Sequence, residues 1–129
     1  MGILFTETEI ASFRNSMEGG KEYFYILYLL RSMKAVNIRG SEFEIPCYGL
    51  KEVMQKIVDG AAVSTHEDSI LTISPNKNKI LDMINFLKDN GVSPYHLVEV
   101  VGDRVDECAF EFEEEVENII YYEQAVKNY

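Results

Sequence analysis

The sequence holds no tryptophan, three prolines, two cysteines and two histidines, and its longest unbroken apolar run is the eight-residue YFYILYLL at 23–30. Each shortage removes a class of protein. Eight residues fall well short of the ~20 that a membrane-spanning helix needs. Cys47 and Cys108 are too few and too far apart for a disulfide framework or a CxxC knuckle, so each is expected to act as a small core hydrophobe. With no basic segment leading into an apolar one at the start, they point to a reducing cytoplasm. His66 and His96 have no partner at metal-ligand spacing. No P-loop, G-x-G-x-x-G, G-x-S-x-G or H-E-x-x-H occurs, and the acidic stretches lack the alternating ligands and central glycine of an EF-hand. Neither a cofactor nor an enzymatic activity is expected from these patterns.

Basic residues are also scarce. Twelve lysines and arginines face 22 aspartates and glutamates, for a net charge of −10 and a pI near 4.6. Such a field opposes direct binding to nucleic acid or to an anionic membrane. The excess is local. Residues 1–65 carry eight acids and seven bases, whereas residues 66–129 carry fourteen and five. From Glu99 to Glu123 there are ten acids and a single base, Arg104.

With 129 residues, 47% of them apolar, the chain is expected to form one domain, 1–129, around its own core. Patterning suggests an α+β fold: two N-terminal helices, then three strand-strand-helix units whose antiparallel or mixed sheet carries helices on one face. Thr6 and Glu9 are spaced as a capping box for the first helix, and Gly19-Gly20 would end it. Lys21–Lys34, a continuous apolar run, fits either a buried helix or a strand, and the leucine, methionine, lysine and arginine at its end favour the helix. A hairpin turning at Arg39-Gly40 and a helix with the stripe Leu50, Val53, Met54 and Ile57, stopped by Gly60, make the first unit. The second is AAVS, a turn over HEDS, ILTIS, and a helix from Ser74-Pro75 to Gly91 with Ile80, Met83, Ile84 and Leu87 inward. The third pairs YHLVEVV with RVDECAFEF across a Gly102-Asp103 turn. It ends in a helix with the stripe Phe112, Val116, Ile119, Tyr122, Val126 and Tyr129.

The stretch FEFEEEVENIIYY at 110–122 holds five glutamates. Those in the first turn of the last helix oppose the positive end of its dipole, at roughly 0.3–1 kcal/mol each. Helix starting does not account for so many acids without compensating lysines, and Tyr121 beside them is of a type enriched at interfaces. The reading that follows is a small acidic protein-binding module for a basic partner protein: an inhibitor, immunity protein or nucleic-acid mimic that occludes a nuclease or other nucleic-acid-binding protein. Glu99, Asp103, Asp106, Glu107, Glu111, Glu114, Glu117 and Tyr121 are its candidate contact residues. A different reading makes Glu99 and Asp106, opposed across the expected hairpin, a carboxylate pair for a metal-dependent enzyme or ligand-binding domain. Self-association through YFYILYLL or the last helix is a further expectation.

Overall fold

The computed structural model describes residues 4–127. Four long strands come first: β1 (Phe5–Ser16), β2 (Lys21–Ile38), β3 (Ser41–Val58) and β4 (Ala61–Ser74). They form one antiparallel sheet in the order β1-β2-β3-β4. Helices α1 (Lys77–Asp89), α2 (Leu97–Glu107) and α3 (Glu111–Lys127) follow, with a short 3₁₀ turn at Pro94–His96 before α2. The expected order is thereby overturned. Among the described residues there are no N-terminal helices and no repeated strand-strand-helix units, because 6–16, 21–34 and 50–57 are strand, the expected turn at 66–69 is part of β4, and 97–107 is helix.

Local chemistry explains the strands. β2 is dense in tyrosine, phenylalanine and isoleucine, side chains that fit a pleated surface. β1 alternates Thr6, Thr8 and Ile10 against Glu7 and Glu9, so the apparent capping box is one step of a strand pattern. Arg39-Gly40 and Asp59-Gly60 both have positive φ at each residue, the type I′ geometry that joins strands through two-residue loops. Gly60, expected to stop a helix, turns a hairpin instead.

The register decides which face each residue meets. β2 and β3 pair without interruption from Lys21 opposite Val58 to Ile38 opposite Ser41. Leu27, Leu29 and Leu50 therefore share one face, and they pack with Ile80, Ile84 and Leu87 of α1 and Leu97 and Val101 of α2. Ile45 and Cys47 lie on the opposite face, where they pack with Phe112 and Val116 of α3. The hairpin tip, 33–46, projects beyond the ends of β1 and β4, and α3 covers the side that α1 and α2 do not. Helices thus lie on both faces. Where β4 shifts register, its backbone presses on Gly49: a Cβ there would stand 2.0 Å from the Ile70 carbonyl oxygen and 2.3 Å from that of Leu71.

α1 agrees with its expected limits. The Asn76 side chain accepts from the Asn78 N–H, Gly91 has a φ of +60°, and the Val92 N–H donates to the Leu87 carbonyl. That is a Schellman ending. α2 forms from a valine-rich sequence because Leu97, Val101 and Cys108 recur at helical spacing and all three are buried. Both cysteines are free and buried. Among the described residues no helix is long and apolar enough to cross a membrane.

Candidate functional site

The acidic residues lie on two consecutive helices and not on a hairpin. Along α2, Glu99, Asp103 and Asp106 follow one another at i+4 and i+3, so they share one exposed face, with Glu107 beside them. Glu99 and Asp106 are two turns apart on that helix, a rise of ~10 Å. They do not oppose each other across strands, and the pair expected from a hairpin does not exist. Among the described residues no group of three histidine, cysteine, aspartate or glutamate side chains is arranged to hold a metal ion.

Along α3, Glu114, Glu117 and Tyr121 repeat the same spacing and are all exposed. Tyr122, placed by its spacing on the core stripe, is 70% exposed instead. Val126 and Tyr129 lie outside the residues whose side chains are described.

Phe110 stands at the turn between the two helices and is 70% exposed. Asp106, Glu107, Glu113 and Glu114 lie within four positions of it. The acids beside Phe110 are visible in the sequence; the exposure of its ring at the turn between α2 and α3 is not. Three acids of the region have internal partners. Glu99 meets His96 Nδ1 at 3.2 Å, Glu117 meets Arg39 at 3.5 Å, and Glu111 is bound to Lys79.

Glu111 is the most deeply engaged of the expected contact residues. The buried Ser74 hydroxyl donates to its Oε2 at 2.6 Å, the Asn76 N–H donates to the Ser74 oxygen at 3.0 Å, and Lys79 Nζ donates to Oε1. Burial pushes the Glu111 carboxyl up, but the hydrogen bonds from Lys79, Ser74 and Cys108 outweigh it and leave the carboxyl below its ordinary range. The Cys108 thiol is pushed up to about 11, first by burial and then by the adjacent Glu111 carboxylate. A thiol so placed is a poor nucleophile at neutral pH. This network closes a polar groove of about 450 Å³ between α1 and α3. It ties the first turn of α3 to β4 and α1.

A carboxylate absent from the sequence-based candidates is the most unusual group in the protein. Glu52 is 0% exposed and neither oxygen has a hydrogen-bond partner among the described residues. It sits on the helix-covered face of β3 between Leu50 and Met54, opposite Leu27 of β2 and Asp68 of β4. Burial raises its pKa to about 8, so it is largely protonated at pH 7. The available signal was L-K-E-V-M at 50–54: on a strand, Leu50, Glu52 and Met54 share a face, whereas a helix turns Glu52 outward.

Residues 6–107 match the model of a family described as one of unknown function, DUF6514. The chain belongs to the DUF6514 family. No curated protein and no solved structure matches it. The DUF6514 match takes in the sheet from Thr6 onward, α1 and α2, hence Glu52 and the acids Glu99, Asp103, Asp106 and Glu107; α3 and its glutamates lie beyond the matched segment.

Proposed function

We propose that this DUF6514 protein is a small acidic docking module that binds a protein with a basic surface through the corner between α2 and α3. The observation that supports this most directly is Phe110, an exposed aromatic ring amid Asp106, Glu107, Glu113 and Glu114. Interfaces take most of their energy from a few aromatic or arginine anchors, whereas surrounding charges steer approach and set specificity. The corner supplies both parts. A nuclease or other nucleic-acid-binding protein has the complementary surface, and docking there would occlude it. The module would then act as a cytoplasmic inhibitor or immunity protein.

Glu111 and Glu117 leave the contact set because Ser74, Lys79 and Arg39 already hold them. The decisive variants are therefore Asp106→Lys/Glu107→Lys and Phe110→Ala. In capture from host lysate followed by binding kinetics on the captured protein, the double reversal slows association at low salt by about tenfold or more and flattens its salt dependence. Phe110→Ala instead speeds dissociation, by about 2 kcal/mol of binding energy. Equal capture by native protein and both variants removes the corner from the mechanism.

A further inference from the structure

The helix-covered face of the sheet emerges from beneath α1 and α2 near the β1–β2 turn. Register sets its side chains in rows across the strands. Phe13, Tyr25, Met54 and His66 form one row, and Asn15, Tyr23, Lys56 and Ser64 form the next. The 3₁₀ turn brings Tyr95 against this region. Its ring stacks on His66 with centroids 4.0 Å apart and planes 6° from parallel, and Phe13 stacks on Tyr25 at 4.4 Å and 8°. Between them lies an open cleft of about 520 Å³ lined by Asn15, Tyr23, Tyr25, Lys56, Ser64 and Tyr95, among others. Lys56 is the one charged side chain on its wall, and among the described residues no carboxylate pairs with it.

We propose that this cleft binds a planar aromatic molecule carrying one anionic group, an aromatic carboxylate being the simplest case. Two features argue for a flat ring. Tyr95 is held by the His66 ring stacked on one side, so its other face is offered with little conformational entropy left to lose, and Tyr25, buried and stacked on Phe13, adds a rigid aromatic edge to the wall. Tyr95 remains 66% exposed, which leaves ring area for a ligand to cover. The charge follows from Lys56. It is the one charged group facing the cleft, in the half of the chain where eight acids and seven bases nearly balance, so the acidic field of the last two helices is not concentrated there. Asn15 and Ser64, in the same row as Lys56, offer hydrogen bonds to the anionic group. A cation finds no carboxylate on this wall. The site lies away from the α2–α3 corner and does not depend on it.

Three probes of one shape test the assignment: 2-naphthoate, its neutral amide, and the cationic 2-naphthylmethylamine, each titrated calorimetrically into the full chain. Naphthoate is expected to bind saturably, about tenfold tighter than the amide, with the amine weakest. Lys56→Met should abolish the difference between naphthoate and amide, and Tyr95→Ala should weaken both by about fivefold or more. Thermal melts of the two variants serve as the control for folding. The proposal is overturned by a lack of saturable binding of any probe, by a preference for the amine, or by naphthoate binding that neither substitution changes in a protein that melts like the parent.

Discussion

Glu52 shares its row of the sheet with Ala11, Leu27 and Asp68, and it is the one charged side chain type found buried among the described residues. In an unfolded chain a glutamate titrates near 4.3; here burial holds it to about 8. Between those values the folded state keeps a proton that the unfolded state has lost, so stability falls as pH rises. Its contribution is fully present below about pH 4 and is gone above the folded pKa. With about 1.4 kcal/mol per unit of separation, the loss amounts to about 5 kcal/mol across that window. Glu52→Gln, which cannot ionise, should exceed the parent by only about 1 kcal/mol near pH 5 and by several kcal/mol at pH 9. Urea unfolding at pH 5, 7 and 9 measures this directly. Parallel pH profiles for parent and variant would mean that Glu52 finds a partner or solvent in the folded protein.

Among the elements, α3 depends most on a single residue. It packs on the hairpin through Phe112 and Val116, and its first turn is tied to β4 and α1 by Glu111 through Ser74 and Lys79. Glu111→Ala is expected to lower stability by about 1–2 kcal/mol, since it removes charge-assisted hydrogen bonds and leaves the Ser74 hydroxyl without its acceptor. The same change takes away one of the groups that raise the Cys108 thiol. Amide exchange in the first turn of α3 and alkylation of Cys108 should both accelerate, while the centre of α1 remains protected. Unchanged exchange in α3 would show that Phe112 and Val116 alone hold the helix.

The legible elements were those whose signals are local. α1 declares itself by Pro75, its apolar stripe and Gly91, and the Arg39-Gly40 turn by composition. The hairpin arms next to Arg39-Gly40 were read as strands, but the rest of β2 and β3 was misread because these strands are not half-buried in one sense along their length. Their covered face changes from Leu27 and Leu50 beneath α1 and α2 to Ile45 and Cys47 beneath α3. Leu29 and Leu30 are consequently both buried, and two-residue alternation is lost where it was needed. α2 failed in the opposite direction, as valine content and a Gly-Asp pair suggested strands until burial at Leu97, Val101 and Cys108 decided for helix. Of the candidate site, the acids were visible as charge. Their grouping around Phe110 depends on where the last two helices meet.

For the whole molecule the uneven charge has a thermodynamic consequence that separates fold from function. Asp106 and Glu107 occupy the last turn of α2, where the negative end of the helix dipole disfavours a carboxylate, and they stand in the most acidic part of a chain of net charge −10. Nothing in the fold holds either one: among the described residues neither forms a salt bridge or a side-chain hydrogen bond. Asp106→Lys/Glu107→Lys should therefore raise stability by about 1 kcal/mol at low salt, or roughly 3–5 °C in melting temperature. The gain should shrink as salt shortens the screening length from about 30 Å at 0.01 M to about 10 Å at 0.1 M. The same variant is expected to lose association rate toward a basic partner, so stability and binding would move in opposite directions. Such an opposition is characteristic of residues kept for function at some expense of stability. A thermal melt of the double variant across salt concentrations is decisive: a lower melting temperature than the parent's would make these acids structural, and any loss of binding could then be no more than a damaged fold.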